Sequence, residues 1–268
     1  MRIIVPIKQV PETKSVKMDE KTGTVIREGV ESIINPLDLY AIEAAILLSE
    51  RLGWETLAIS MGPAKAGEAL REAIAMGIGS GVLLSDKAFA GSDTWATAYV
   101  LAEAIKKVGE YSLVICGERA TDGDTGQVGP EIAAFLGFPV VSYVNKIEDV
   151  TSTSCSVSRL VEDGAEKLEM ALPGVITVVK EVSVPRLPTL RGKQRAKKAQ
   201  IPVWGLAELP LKSGMVGLSG SPTRVGRIFR PKIARECERL VATDEERMMN
   251  ALDRVCSLMR QKLRGAQA

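Results

Sequence analysis

The amino-acid sequence predicts an α/β fold with a mainly parallel, doubly wound sheet, and three observations support this prediction. Up to about residue 148, short β-branched runs alternate with segments of helical periodicity, as in sheets covered by helices on both faces. Beyond that point, polar alternating segments predict an antiparallel edge of the same sheet. The length of 268 residues and the hydrophobic fraction of 46% are sufficient for a large core.

The first elements follow one another regularly. A strand at 3–7 precedes a helix that we expect to start at Asn35-Pro36, with Asn as the cap and Pro at the first position, and to end at Gly53. The next predicted elements are a strand at 56–61, a helix at 64–76, a strand at 82–84, a helix from Ser92 or Asp93 to Val108, a strand at 112–116, a helix from about Gln127 to Leu136 and a strand at 140–144.

The remaining sequence predicts an edge hairpin, a basic segment and a helical arm. Segments 151–161 and 167–172 alternate around a Glu-Asp-Gly turn and predict a hairpin, which an apolar strand follows at 175–179. From 185 to 202 the chain is loop-like, with six Lys or Arg and no acidic residue. A Gly/Ser/Pro-rich linker at 213–222 leads to a charged C-terminal helix from about Ile233 to Leu263.

The absence of histidine excludes several classes of function. Without imidazole there is no Ser-His-Asp or Cys-His pair and no His-containing metal site. The four cysteines form no C-x-x-C, so we expect reduced thiols and no bound metal. The net charge of +2 gives no general reason to bind nucleic acid or a membrane surface. Because no apolar run approaches the ~20 residues of a membrane span, we expect a cytoplasmic protein without membrane insertion.

Candidate binding residues follow the predicted parallel strands, because ligands bind outside the carboxyl ends of such strands. Three loops qualify, at 8–11, 61–63 and 117–130. The third is the most informative, since its glycines permit close backbone approach and it leads into a helix whose N-terminal N–H groups suit a phosphate.

The residues alone leave alternatives for this loop. Its Asp-Gly-Asp-Thr-Gly segment lacks the closing acidic residue of a calcium loop, the Gly-Lys-Ser/Thr of a Walker loop and the spacing G-x-G-x-x-G. A solvated turn therefore stays open beside a nucleotide site, and Asp122 with Asp124 is either an acid–base pair or two solvated carboxylates. Segment 185–202 lacks the interleaved aromatics of an RNA-stacking surface, which favours a solvated face or a docking loop for an acidic protein partner.

Five parts of the sequence carry a family resemblance as a set. They are IVPIKQVP at 4–11, NPLD at 35–38 with EAA at 43–45, MGP at 61–63 with REAIAMG at 71–77, DGDTGQVGP at 122–130, and PTL at 188–190 with KK at 197–198. In this order, and over some three quarters of the chain, they resemble the beta (small) subunit of electron-transferring flavoproteins.

This resemblance implies a flavodoxin-like or adenine-nucleotide-hydrolase-like domain, paired with an alpha (large) subunit that holds the electron-transferring FAD. The beta subunit's nucleotide would be surrounded by Pro6, Ile7, Lys8, Asn35, Met61, Gly62, Ala120, Asp122, Gly123, Asp124, Thr125, Gly126, Gln127 and Val128. Leu190 matches the family position that anchors a dehydrogenase partner. The implied domains are a nucleotide-binding domain at 1–184, a basic docking loop with a short helix at 185–212, and a linker with a helical arm on the large subunit at 213–268.

The resemblance also implies a function without catalytic side chains, because flavins carry the electrons. Family members that hold AMP tend to have an acidic residue at the position of Gly123 and a larger polar residue at that of Gly126. Both are glycine here, and 128–130 resembles the bifurcating members. We therefore expect a bifurcating FAD that takes electrons from NADH. It would divide them between ferredoxin or flavodoxin and the alpha-subunit FAD, which serves an acyl-CoA or 2-hydroxy-acid dehydrogenase.

Three alternatives remain at this stage. They are a conventional single-FAD electron-transferring flavoprotein with structural AMP, an ATP-hydrolysing α/β enzyme, and a nucleotide-sensing module. In the leading interpretation the chain is part of an enzyme only within the NADH-oxidising complex.

Overall fold

The computed structural model describes residues 1–12, 17–18, 25–26, 32–224, 226 and 240–265. The chain forms two compact units, Met1–Ile228 and Phe229–Ala268. The first contains the sheet and the candidate site, and the second contains the C-terminal helix.

The described strands are β1 (Arg2–Pro6), β2 (Gln9–Pro11), β3 (Lys17–Met18), β4 (Val25–Ile26), β5 (Ser32–Ile34), β6 (Glu55–Met61), β7 (Ser80–Leu84), β8 (Leu113–Gly117), β9 (Val140–Val150), β10 (Ser154–Val161), β11 (Gly164–Ala171), β12 (Gly174–Val178) and β13 (Val203–Trp204). The described helices are α1 (Asp38–Leu52), α2 (Gly67–Met76), α3 (Thr94–Val108), α4 (Val128–Leu136), α5 (Leu190–Lys198), α6 (Gly217–Gly220) and α7 (Glu245–Gly265).

Nine of these strands form one sheet in the order β11-β10-β9-β12-β8-β1-β6-β7-β13. The pairs from β9 to β13 are parallel, whereas β10 pairs antiparallel with both β9 and β11. This confirms the predicted α/β class and the antiparallel edge. From β1 the chain continues to β6 and β7 on one side and then to β8 on the other, so the strand order reverses at β1.

Both faces of the sheet are buried at its central strands, which explains the continuous apolar runs in β1, β6, β7, β8 and β12. Within β1, Ile3 and Val5 pack with α1 and α2, whereas Ile4 packs on the opposite face with α3 and α4. The predicted end of α1 at Gly53 is confirmed, and this glycine has a φ of 69°. Of the two predicted caps of α3, Asp93 is the one that accepts a hydrogen bond from the Ala96 N–H.

The predicted starts of two helices are wrong. Helix α1 begins at Asp38 rather than at Asn35-Pro36, and no described side chain caps it. Asn35 is fully buried and bonds to a neighbouring loop instead, so tertiary contacts override its capping preference. The predicted C-terminal helix starts too early, because described residues 240–244 are not helical and Asp244 accepts the Arg247 N–H ahead of α7. Residues 233–239 of that prediction lie outside the described residues.

Two segments of loop-like composition are folded. The basic segment contains α5, which Thr189 caps by accepting the Gly192 N–H. Gly192 allows α5 to approach the Ala75 carbonyl, where a Cβ would overlap. Residues 213–222, with a linker composition, form a 3-10 turn and α6, and Val216 is buried in the core on the α3 side. Packing of a few apolar residues thus outweighs the turn-rich composition.

Candidate functional site

The three loops predicted to bind a ligand meet at the edge of the sheet where the strand order reverses. The loops after β1 and β6 follow neighbouring parallel strands, and the loop after β8 follows the strand on the other side of β1. A cleft of about 350 Å³ opens there. Its lining contains the predicted residues Lys8, Met61, Gly62 and Asp122. A reversal of strand order is the usual ligand position in an open parallel sheet.

The cleft has two polar lining residues outside the three predicted loops, Ser32 and Lys65. Gln9, in the predicted loop at 8–11, also lines it, and its Nε2 donates to the Lys65 carbonyl oxygen at 3.3 Å. Ser32 reaches the cleft because β5 pairs antiparallel with β2, placing it opposite Pro11. Lys65 could have been found, since it is a second cation just beyond the 61–63 loop, but the β2–β5 pairing leaves no clear sequence signal.

An ion pair connects two of the loops across the cleft. Lys8 Nζ lies 2.7 Å from Asp122 Oδ1, and both side chains are partly exposed. A pair in this position is weak because water screens it. An entering anion can therefore compete with Asp122 for the Lys8 ammonium group.

Asn35 connects the start of α1 with the loop after β8. Its Nδ2 donates to Asp38 Oδ1 at 2.9 Å and to the Arg119 carbonyl at 2.8 Å, while its Oδ1 accepts the Thr121 N–H at 3.1 Å. All these hydrogen-bond partners belong to the protein itself. Whether Asn35 also contacts a nucleotide stays a prediction.

Asp38 is the site residue that the sequence analysis did not select. Its buried carboxylate accepts the Lys8 N–H at 2.7 Å through Oδ2 and the Asn35 amide through Oδ1. Burial raises the pKa of Asp38 to about 7, against the lowering effect of these hydrogen bonds and the Lys8 charge. In the sequence, Asp38 is visible only as a carboxylate one turn before the apolar stripe of a helix. A carboxylate in this position usually indicates no more than a favourable helix start.

The glycine-rich loop after β8 has the backbone shape of an anion cradle. Asp124 (φ 56°) and Gly126 (φ 67°) adopt the left-handed conformation, and Arg119 Nε holds Asp124 Oδ1 at 2.9 Å. Within the described part of the chain, the N–H groups of 125–129 donate to no protein acceptor. They lead into α4, whose N-terminal dipole favours negative charge.

The other predicted residues occupy distinct places. Pro6 and Ile7 are buried at and just after the end of β1, and the Ala120 carbonyl accepts the Asp124 N–H at 2.7 Å. The predicted residues 123–128 belong to the loop beside the cleft and are not among its lining residues in the described structure.

Leu190 lies outside this cleft, at the first position of α5. Its side chain is 82% exposed, and Val184 and Leu187 are similarly exposed beside it. Arg186 anchors this apolar segment to α1 through Glu43 and Glu50, with contacts of 2.9 and 2.6 Å. An exposed leucine on a fixed backbone suits docking, and this role of Leu190 stays a prediction.

Two features are absent from the described residues. None of the helices combines the length and apolar character needed to cross a membrane. No cluster of three or more acidic or cysteine side chains could hold a metal ion within the same residues.

Comparison with known proteins identifies the family. The electron transfer flavoprotein domain matches residues 22–209. The chain is 45% identical to the electron transfer flavoprotein subunit beta of Thermoanaerobacterium thermosaccharolyticum, over 96% of this chain and 98% of that protein. It is 48% identical to the Caffeyl-CoA reductase-Etf complex subunit CarD of Acetobacterium woodii (86% and 88% covered) and 39% identical to Protein FixA of Azorhizobium caulinodans (94% and 92%). The chain therefore belongs to the electron transfer flavoprotein family, as a beta (small) subunit.

Proposed function

We propose that this beta subunit holds FAD at the cleft and, with its alpha subunit, forms a bifurcating electron transfer flavoprotein that oxidises NADH. Beta subunits of this family pair with an alpha subunit, and the family implies flavin or AMP in the complex. The low-potential electron acceptor would be ferredoxin or flavodoxin. The other electron would pass through the alpha-subunit FAD to a dehydrogenase.

The residues at the cleft fit a ligand that contains a pyrophosphate. Lys8 and Lys65 supply positive charge at the cleft. Beside it, the N–H groups of 125–129, which donate to no described protein acceptor, supply hydrogen-bond donors. When bound, FAD supplies the hydride and one-electron chemistry. The chain's own residues would hold its phosphates and cover it with the apolar side chain of Met61.

We favour FAD over AMP because of the glycine at position 123. A Cβ at this position would meet no described atom within 4 Å, and its φ is not in the left-handed region. Neither packing nor backbone conformation therefore requires glycine here, and the space beside Asp122 is available to a larger ligand. Gly126 supports the choice less, because its φ of 67° already favours glycine.

A relative's name supports the class of dehydrogenase. CarD of Acetobacterium woodii is named as a subunit of a Caffeyl-CoA reductase-Etf complex and shares 48% identity with this chain. We therefore favour a partner that acts on a CoA thioester over one that acts on a 2-hydroxy acid.

Cofactor analysis of the purified heterodimer tests this proposal. We expect two FAD per heterodimer, no stoichiometric AMP, and loss of flavin absorbance when NADH is added. Chromatography of the released nucleotides and anaerobic titration measure these quantities. One FAD with one AMP would show instead a conventional single-flavin protein.

A variant locates the second FAD. Gly123→Asp adds a third carboxylate beside Asp122 and Asp124, so we expect the flavin content to fall towards one per heterodimer. Gly214→Asp is the control, because it adds the same charge at a glycine outside the left-handed region where a Cβ meets no described atom within 4 Å.

Replacing Leu190 by alanine tests the docking role. A buried anchor in a partner pocket contributes about 2 kcal/mol, so we expect the KM of an acyl-CoA dehydrogenase for the heterodimer to rise about 30-fold. The flavin content should not change. Leu160→Ala, which truncates an exposed leucine on β10, is the control. An unchanged KM would make Leu190 an ordinary surface residue.

A further inference from the structure

Asp38 connects two loops that are far apart in sequence. Its Oδ2 accepts the backbone N–H of Lys8, in the loop after β1. Its Oδ1 accepts the Asn35 amide, which in turn holds the Arg119 carbonyl and the Thr121 N–H in the loop after β8. One carboxylate therefore fixes the backbone on both sides of the cleft without being among the residues that line it.

The fold makes room for this carboxylate at the end of β8. Gly117 lies against Asp38 Oδ1 so closely that a Cβ at 117 would overlap the oxygen. The Asp38 side chain thus rests against bare backbone. This close fit leaves little freedom for the two hydrogen bonds to rearrange.

The ionised carboxylate accepts both bonds more strongly than the protonated acid does. The groups that face it, Lys8 N–H and the Asn35 NH₂, are both donors. In protonated Asp38 one oxygen carries the proton and is a poorer acceptor, so the bond to that oxygen weakens. Protonation therefore loosens the hold on one of the two loops.

The charges around Asp38 make both protonation states accessible near neutral pH. Lys8 favours the ionised form, whereas burial and the Asp122 carboxylate favour the protonated form, and together they bring the pKa to about 7. The neighbouring thiol of Cys116 remains protonated, because burial raises its pKa, with a smaller contribution from Asp38.

We propose that Asp38 is a positioning residue whose ionised form holds the loops after β1 and β8 in the nucleotide-binding arrangement, so that the beta subunit binds its nucleotide more weakly as the pH falls. This inference rests on the proposed nucleotide site but not on which nucleotide occupies it. Binding favours ionised Asp38, so nucleotide binding releases a proton from the fraction of protein that is protonated.

Equilibrium dialysis of FAD against heterodimer stripped of the beta-subunit nucleotide measures this linkage. Between about pH 8 and about pH 6, linkage to a single proton weakens binding by about tenfold. We expect this change in the wild type and none in Asp38→Asn. Asp122→Asn removes the other carboxylate facing Asp38, so it should move the pH dependence to lower pH without abolishing it. Dependence that persists in Asp38→Asn, or that vanishes only in Asp122→Asn, would overturn the proposal.

Amide hydrogen exchange supplies a readout that does not depend on binding. The N–H groups of Lys8 and Thr121 both donate into this network, so Asp38→Asn should accelerate exchange at both. Acceleration at Lys8 alone would reduce Asp38 to a local structural residue.

If Asp38→Asn yields no heterodimer, the wild-type exchange rates, corrected for intrinsic pH dependence, must show the same loosening between the two pH values. If AMP replaces FAD, the proposed function fails, yet the comparison of wild type with Asp38→Asn, repeated with AMP, still tests Asp38.

Discussion

Replacing Arg186 by alanine should lower the free energy of unfolding of the heterodimer by about 3 kcal/mol. The Arg186 guanidinium donates to both oxygens of Glu43, whose side chain is only 5% exposed, at 2.9–3.0 Å. Removing it leaves a buried carboxylate without its counter-ion, which costs more than the ion pair itself contributes. Urea unfolding at constant protein concentration measures the change.

Two further variants separate this mechanism from a general effect of truncation. Glu50→Ala removes the other, exposed partner of Arg186 and should cost less than about 1 kcal/mol. Adding Glu43→Gln to Arg186→Ala should recover part of the loss, because no buried charge remains. Equal destabilisation by Glu50→Ala and Arg186→Ala would show that the buried carboxylate does not decide the energy.

Raising the pH should destabilise the wild type relative to Asp38→Asn. The folded-state pKa of Asp38, about 7, lies above the usual aspartate value of 3.8, so the folded protein binds the proton more tightly than the unfolded chain. Stability from this group is complete below the unfolded pKa and is lost as the pH rises through the folded pKa. Between about pH 5.5 and about pH 7 we expect a relative loss of about 2 kcal/mol.

Urea unfolding of heterodimer without beta-subunit nucleotide measures this slope. Asp163→Asn, which removes an exposed carboxylate from the turn between β10 and β11, should behave as the wild type. Parallel pH profiles for wild type and Asp38→Asn would contradict a raised pKa. The ionised form of Asp38 thus costs folding stability while holding the two loops, a common compromise at functional sites.

The sequence allowed much of the site to be predicted, because ligand loops of a parallel sheet follow its strands. Three loops were selected for this reason, and the family resemblance chose Lys8, Met61, Gly62 and Asp122 within them. The structure brings these four residues together at one cleft. The prediction missed Asp38, whose significance depends on the absence of a side chain at Gly117 and on donors from two distant loops. Neither condition can be recognised in a local pattern.

The sequence by itself determined the class of the fold, the alternation of strands and helices, and local ends such as Gly53, because these depend on periodicity and backbone preference within a few residues. Only the tertiary structure decided that Asn35 joins two loops rather than capping α1, that residues 213–222 pack on the core, and that Arg186 neutralises Glu43. These outcomes depend on which buried polar and apolar groups find partners across long sequence separations, and the free energy of those contacts exceeds local preference.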